Sequence, residues 1–216
     1  THLIGPGNLA PRPVCLASGG ILTVGIPEMG PVVVDLLEGA HMIGANVAFD
    51  LGVICATWPE LLDAVFDKLD ADQVEDVQIN QKMIDNAHGR LQRHGYSLVA
   101  LEKRHLNIDR SGDKGADAWR LRYSELDGVP LADWPREAID YPLADDDGTY
   151  RVWDSQRCTE PNRFEQVRAA FALHLMSCWG VCTSEAQIQR LEQSIAADYE
   201  HYTDMLVTSG LVRSNG

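Results

Sequence analysis

The sequence predicts an α/β domain followed by a helical segment. Short apolar runs set between Gly and Pro crowd the N-terminal quarter, as strands do. Helical apolar spacing dominates after Asn46, and a composition break at Cys158-Thr159-Glu160-Pro161-Asn162 sets off a second helical stretch. Strands first and helices later suggest a largely antiparallel early sheet. The break divides the chain into an expected domain over 1–157 and a helical part over 162–216.

Pro6, Pro11 and Pro13 punctuate the start, and Val14–Ser18 and Ile21–Gly25 then read as strands joined by a tight turn at Gly19-Gly20. Pro31–Glu38 fits either a strand or the start of a helix. His41–Gly44 is a brief strand entering a turn. From Asn46 to about Trp58, Val47, Leu51 and Ile54 recur at helical spacing until Pro59 stops them. Pro59 to about Leu69 gives the next helix, with Leu61, Leu62, Val65, Phe66 and Leu69 on one face. Asp76 to about Leu91 gives another. Ser97 opens a further helix as N-cap, running to about His105 with Leu98, Leu101 and Leu106 inward.

Asn107 to Trp134 is polar and Gly-rich, and reads mostly as loop. A helix starting near Pro135 or at Pro142 runs to Trp153. Beyond the break, Phe164–Trp179 forms an apolar-rich helix ended by Gly180 as its C′ residue. Ser184 and Gln187 resemble a capping box. Ile188, Leu191, Ile195, Tyr199, Tyr202 and Leu206 then recur at steps of three and four until Gly210, so a helical hairpin is expected.

The 216 residues, 45% hydrophobic, suffice for a full α/β domain with a sizeable core. No apolar run approaches the roughly 20 residues of a membrane helix, and no signal peptide opens the chain. Five cysteines are scattered through apolar context, which fits free thiols in a reducing cytoplasm. Cys178 and Cys182 read as helix packing. The net charge of −14 argues against general nucleic-acid affinity. An enzyme that holds a strand end through metal ions escapes that argument, because the ions carry the positive charge.

Two segments carry candidate chemistry. In Ile43–Gly52, Asn46 and Asp50 lie four apart and point the same way on a helix, while Gly44 permits a close approach. In Tyr141–Asp147, Tyr141 and Asp145 share that spacing. A carboxylate beside a phenol suits metal-activated water, the first holding the ion and the second orienting the nucleophile. Bland readings stand beside these. Asn46 and Asp50 fit helix capping and dipole complementation. Tyr141 fits a core-edge aromatic, and Asp146-Asp147-Gly148 a solvated surface. His88, His94 and His105 show no metal-ligand spacing.

Together and in this order, the segments resemble motifs two and three of the 3′→5′ exonuclease domain of family A DNA polymerases, most closely the phage type. Gly44, Asn46 and Asp50 match Gly-x-Asn-x-x-x-Asp; Tyr141, Asp145 and Thr149 match Tyr-x-x-x-Asp with its following Thr. Tyr96-Ser97-Leu98, with Leu101, and Asp76-Val77-Gln78 resemble the connecting stretches. Ala172–Val181 looks like the entry to the polymerase thumb. The resemblance implies an RNase H-like fold, a mixed sheet flanked by helices, and proofreading-type hydrolysis at a single-stranded DNA 3′ end. It implies two Mg²⁺ (or Mn²⁺) ions, a polymerase domain in the same or parent chain, and a bacterial or phage-infected cytoplasm. Asp50 and Asp145 would be metal ligands, Tyr141 the water-orienting hydroxyl and Asn46 a substrate or ligand positioner. Leu3 or Ile4 would wedge against the terminal base. Arg120 and Arg122, in the stretch before Tyr141, fit either phosphate contacts or solvated charges.

Two departures qualify these expectations. Motif one, an Asp-x-Glu whose carboxylate bridges both metals, does not precede Asn46; the chain is expected to begin immediately after it. Asp35-Leu36-Leu37-Glu38 has the wrong spacing for one strand face and lies too near Asn46. Pro142 follows Tyr141 directly, so the helix either starts there or kinks. Activity is therefore expected to be weak or absent, and a vestigial, non-catalytic scaffold is the competing reading. A ribonuclease of the same fold is disfavoured by the thumb-like tail.

Overall fold

In the computed structural model, which describes residues 1–2, 7–39, 41–114, 118–180 and 184–212, helices dominate and four short strands lie among them. β1 (Cys15–Ser18) and β2 (Ile21–Val24) form an antiparallel hairpin, Cys15 opposite Val24 and Ser18 opposite Ile21. Gly19 and Gly20 turn it with φ of 59° and 78°, the positive pair that a two-residue hairpin turn demands. The ambiguous run after Pro31 is helical: α1 (Ile26–Glu38) buries Met29, Val33 and Leu37 at four-residue steps. Asp35 and Glu38 therefore lie on a helix.

β3 (Met42–Gly44) pairs in parallel with β4 (Val74–Asp76), Met42 opposite Val74 and Gly44 opposite Asp76. A parallel pair needs a crossover, which α2 (Val47–Thr57) and α3 (Leu62–Asp70) supply. The sequence reading missed β4, because all three of its residues are buried and so show no alternation. α4 (Val77–Ala87), α5 (Leu98–Leu106) and α6 (Arg136–Gln156) follow.

The chain is mixed α/β, as expected. The one mixed sheet is not what forms: among the described residues the strands make two separate two-stranded sheets. The polar stretch before α6 is also more than loop. Its short 3₁₀ turns seat Tyr123, Leu126 and Trp134 in a core with Val14 and Ala138.

Two compact units divide the chain, Thr1–Cys178 and Trp179–Gly216. The composition break thus falls inside the first unit. α7 (Arg163–Trp179) lies beyond that break, yet Val167 and Phe171 enter the main core beside Leu51, Ile54 and Val65. The second unit holds α8 (Glu185–Thr208), whose Leu191, Ile195, Tyr199 and Tyr202 are exposed. Ser97 and Ser184 occupy N-cap positions, but neither side chain makes a capping hydrogen bond. Cys15, Cys55 and Cys158 are half-buried free thiols, and Cys178 is exposed rather than packed. No described helix is long and apolar enough to cross a membrane.

Candidate active site

The first part of the site is built where β3 hands over to α2. Gly44 ends the strand, and a Cβ there would come within 2.9 Å of Val47 Cβ, so glycine alone allows this close turn. Asn46 follows in the left-handed region, φ 67° and ψ 44°, which Asn tolerates better than other non-glycine residues. It holds the N-cap position of α2, yet its side chain makes no cap bond. Asp76 takes that duty: Val47 N donates to its Oδ2 at 2.8 Å. Its Oδ1 accepts from Gln78 N at 2.7 Å and Ile79 N at 3.1 Å, capping α4 as well. The side chain of Asn46 therefore does not cap α2, and Asn46 and Asp50 are both exposed.

Asp50 is exposed. Partial desolvation by the protein around it, reinforced by the neighbouring Asp76 carboxylate and opposed by the Thr1 ammonium, raises its carboxyl to about 7. Asp76 is raised too, by burial, against the pull of its backbone donors. The pair of carboxylates, one committed to two helix ends and one open, was only half legible from the sequence. Asp76 carried an N-cap signal but nothing that linked it to Asp50.

The second part lies on α6. The helix starts at Arg136, the Pro135 alternative, rather than at Pro142, and carries Pro142 in its interior. Proline at 142 cannot donate to the carbonyl of Ala138 four residues back. The buried Tyr123 hydroxyl donates to that carbonyl instead, at 2.9 Å. Tyr141 and Asp145 then stand one turn apart. Burial first, then the Asp145 carboxylate, push the Tyr141 hydroxyl up to about 12, with Arg110 and Arg120 pulling the other way.

Arg110 was not singled out by the sequence. Its Nη1 reaches Asp145 Oδ1 at 2.9 Å and Glu102 Oε1 at 3.0 Å, and its guanidinium lies 5.6 Å from the centre of the Tyr141 ring. Asp146, expected on a solvated surface, accepts from Gly20 N at 2.7 Å and ties the hairpin turn to α6. Beside this contact a cavity of about 270 Å³ is lined by Gly19, Gly20, Ile43, Asp146, Thr149 and Tyr150, among others.

Of the two expected metal ligands, Asp50 is coupled to Asp76 and Asp145 is paired with Arg110. Carboxylate oxygens suit Mg²⁺. However, no group of three or more His, Cys, Asp or Glu is gathered for an ion among the described residues, and Asp145 already faces a cation. The residues described do not by themselves make a divalent-metal site. Of the remaining candidates, Leu3 and Ile4 lie outside the described residues. Arg120 is exposed and acts on Tyr141. Arg122 is engaged by Glu125 at 2.8 and 2.9 Å and by the Trp119 ring. His105 bridges Gln81 and Ser155. Comparison with known proteins finds no matching family model, no matching curated protein and no matching solved structure.

Proposed function

We propose that this chain is a 3′→5′ exodeoxyribonuclease domain of the family A DNA polymerase type, with an RNase H-like fold and an incomplete catalytic site. The observation that carries the reading is the pairing of motif residues. Asn46, which makes no side-chain cap bond, and Asp50 are both exposed at the start of α2, and Tyr141 stands one turn from Asp145 on α6. In the proposed reaction, water attacks the terminal phosphodiester of a single-stranded 3′ end. The 3′ oxygen of the preceding nucleotide leaves, and a nucleoside 5′-monophosphate is released.

Tyr141, protonated at neutral pH, donates a hydrogen bond that orients the attacking water. Asp145 accepts within the same turn. Asp50 presents an open carboxylate on α2, and Asn46 positions substrate. Divalent ions, Mg²⁺ or Mn²⁺, would activate the water and neutralise the leaving oxygen. In this reading their site needs further carboxylates, from an Asp-x-Glu segment. Residues 162–216, which include α7 and α8, are the start of a polymerase thumb, and the polymerase domain is the natural partner.

One observation favours the competing reading of a non-catalytic scaffold: Asp145 is held by Arg110 rather than left open. A single experiment separates the two. The chain is compared with a version carrying a strand with Asp-Thr-Glu fused ahead of Thr1, using 3′-labelled single-stranded DNA and Mg²⁺. The fused protein is expected to release mononucleotides, with Asp50→Asn and Asp145→Asn each lowering the rate by about 10²-fold or more. The unfused chain is expected to be slow or inert. Equal rates for the two would sink the incomplete-site reading, and an inert fused protein would favour the scaffold.

A further inference from the structure

We infer that Cys178 and His174 form a reactive thiol–imidazole pair at the end of α7, a modification site at which a small disulfide is taken into a mixed disulfide with Cys178. The pair is built by α7 and α2 and does not depend on the nuclease reading.

The placement begins with the pattern of α7. Val167 and Phe171 enter the main core, and the same inward stripe continues three residues on to His174. An imidazole on that stripe needs room in the facing helix, and Gly52 on α2 supplies it. A Cβ at Gly52 would lie 2.5 Å from His174 Nε2 and 2.7 Å from its Cδ2. Gly52 stands in the interior of α2, where glycine costs about 1 kcal/mol relative to alanine. Phe49, one turn earlier on α2, meets the imidazole edge-on, with 6.2 Å between ring centres and 77° between planes. A notch and an aromatic neighbour on one helix thus hold the ring of the other.

Held there, His174 Nε2 lies 3.4 Å from Cys178 Sγ, one turn further along α7. Burial lowers the imidazole below its ordinary 6.5, so at neutral pH the ring is uncharged and can accept a proton. With Nε2 as the acceptor, the ring's own proton sits on Nδ1. Cys178 is exposed, unlike the half-buried Cys15, Cys55 and Cys158, so a reagent in solvent reaches its sulfur. A thiol both open to solvent and seated beside a base differs from an inert buried cysteine in the two properties that govern reactivity. In the reaction, the Sγ–H proton passes to His174 Nε2 as Sγ attacks one sulfur of the disulfide. An Sγ–S bond forms, the original S–S bond breaks, and the departing thiolate takes the proton back from His174. Cys178 is thereby oxidised to the mixed disulfide, and the other sulfur of the reagent is reduced to a thiol. The adduct is carried at the last residue of the first compact unit.

The test is the reaction of the full chain with dithiodipyridine, an uncharged disulfide whose released thiopyridone is read by absorbance. Acid-quenched samples are assigned to individual cysteines by fragmentation mass spectrometry. An ordinary thiol is only a few per cent ionised at neutral pH, so base assistance is expected to label Cys178 about tenfold faster in the folded chain than in the urea-unfolded chain. His174→Gln is expected to bring the folded rate down to that of the unfolded chain. Gly52→Ala keeps both reacting groups but fills the notch, and is expected to slow the labelling as well. Urea midpoints establish that each variant is folded. A folded parent that labels Cys178 no faster than the unfolded chain overturns the proposal without any variant. A parent-like rate in folded His174→Gln overturns it too.

Discussion

Pro142 shows how one residue's defect is met by another far away in sequence. Its missing N–H would leave the Ala138 carbonyl without its helical donor, and Tyr123 supplies one through its hydroxyl at 2.9 Å. Tyr123→Phe is expected to destabilise the first unit by about 1–3 kcal/mol, the cost of an orphaned buried acceptor. In a Pro142→Ala background the backbone N–H at position 142 is restored and takes over as donor, so the same change is expected to cost much less. Urea denaturation of the four proteins in a double-mutant cycle measures this, and zero coupling would refute it. The consequence reaches the site, because Tyr141 lies between the two residues of this repair and one turn before Asp145.

Among the elements, α2 and α4 share one cap. Asp76 ends β4, accepts from Gln78 N and Ile79 N at the start of α4, and accepts from Val47 N at the start of α2. A strand end and two helix starts therefore move together, and Asp50 rides on the first turn of one of them. Asp76→Ala removes these acceptor contacts and is expected to cost about 3 kcal/mol or more, above the usual range for a single cap. A loss below about 1 kcal/mol in thermal or urea unfolding would show that the shared cap is not what joins these elements.

For the whole molecule, two carboxylates shape stability against pH in opposite directions. Asp85 is held down to about 2, first by the Arg104 guanidinium at 2.6 and 2.7 Å and also by Gln81 and Tyr96. Its folded value lies below the ordinary 3.8, so its contribution is present above about pH 4 and is lost as pH falls toward 2. Asp50, raised from 3.8 to about 7, binds its proton more tightly when folded, so stability declines as pH rises from about 4 to 7. Urea midpoints across this range are expected to show Asp85→Asn flattening the acid limb and Asp50→Asn flattening the neutral one. An unchanged curve in either variant would remove that residue from the account.

Much of this molecule was legible in the chain because the responsible signals are local. Gly19-Gly20 between apolar runs announced the β1–β2 hairpin, Pro59 the end of α2, and the steps from Ile188 to Leu206 the helix α8. Asn46, Asp50, Tyr141 and Asp145 were singled out as candidates by their spacing and by the resemblance it carries. What spacing could not supply was company. α1 became a helix because Met29, Val33 and Leu37 had a core to enter, and β4 became a strand because β3 lay beside it. Arg110 sat unnoticed in a polar stretch, eight residues from Glu102 and thirty-five from Asp145, until the turn after α5 joined them. The sequence by itself determined the mixed α/β class, most of the helices and the candidate carboxylates. Only the tertiary structure decided which charges those carboxylates face, because a charge's partner is set by distances across helices, and no local pattern of residues encodes them.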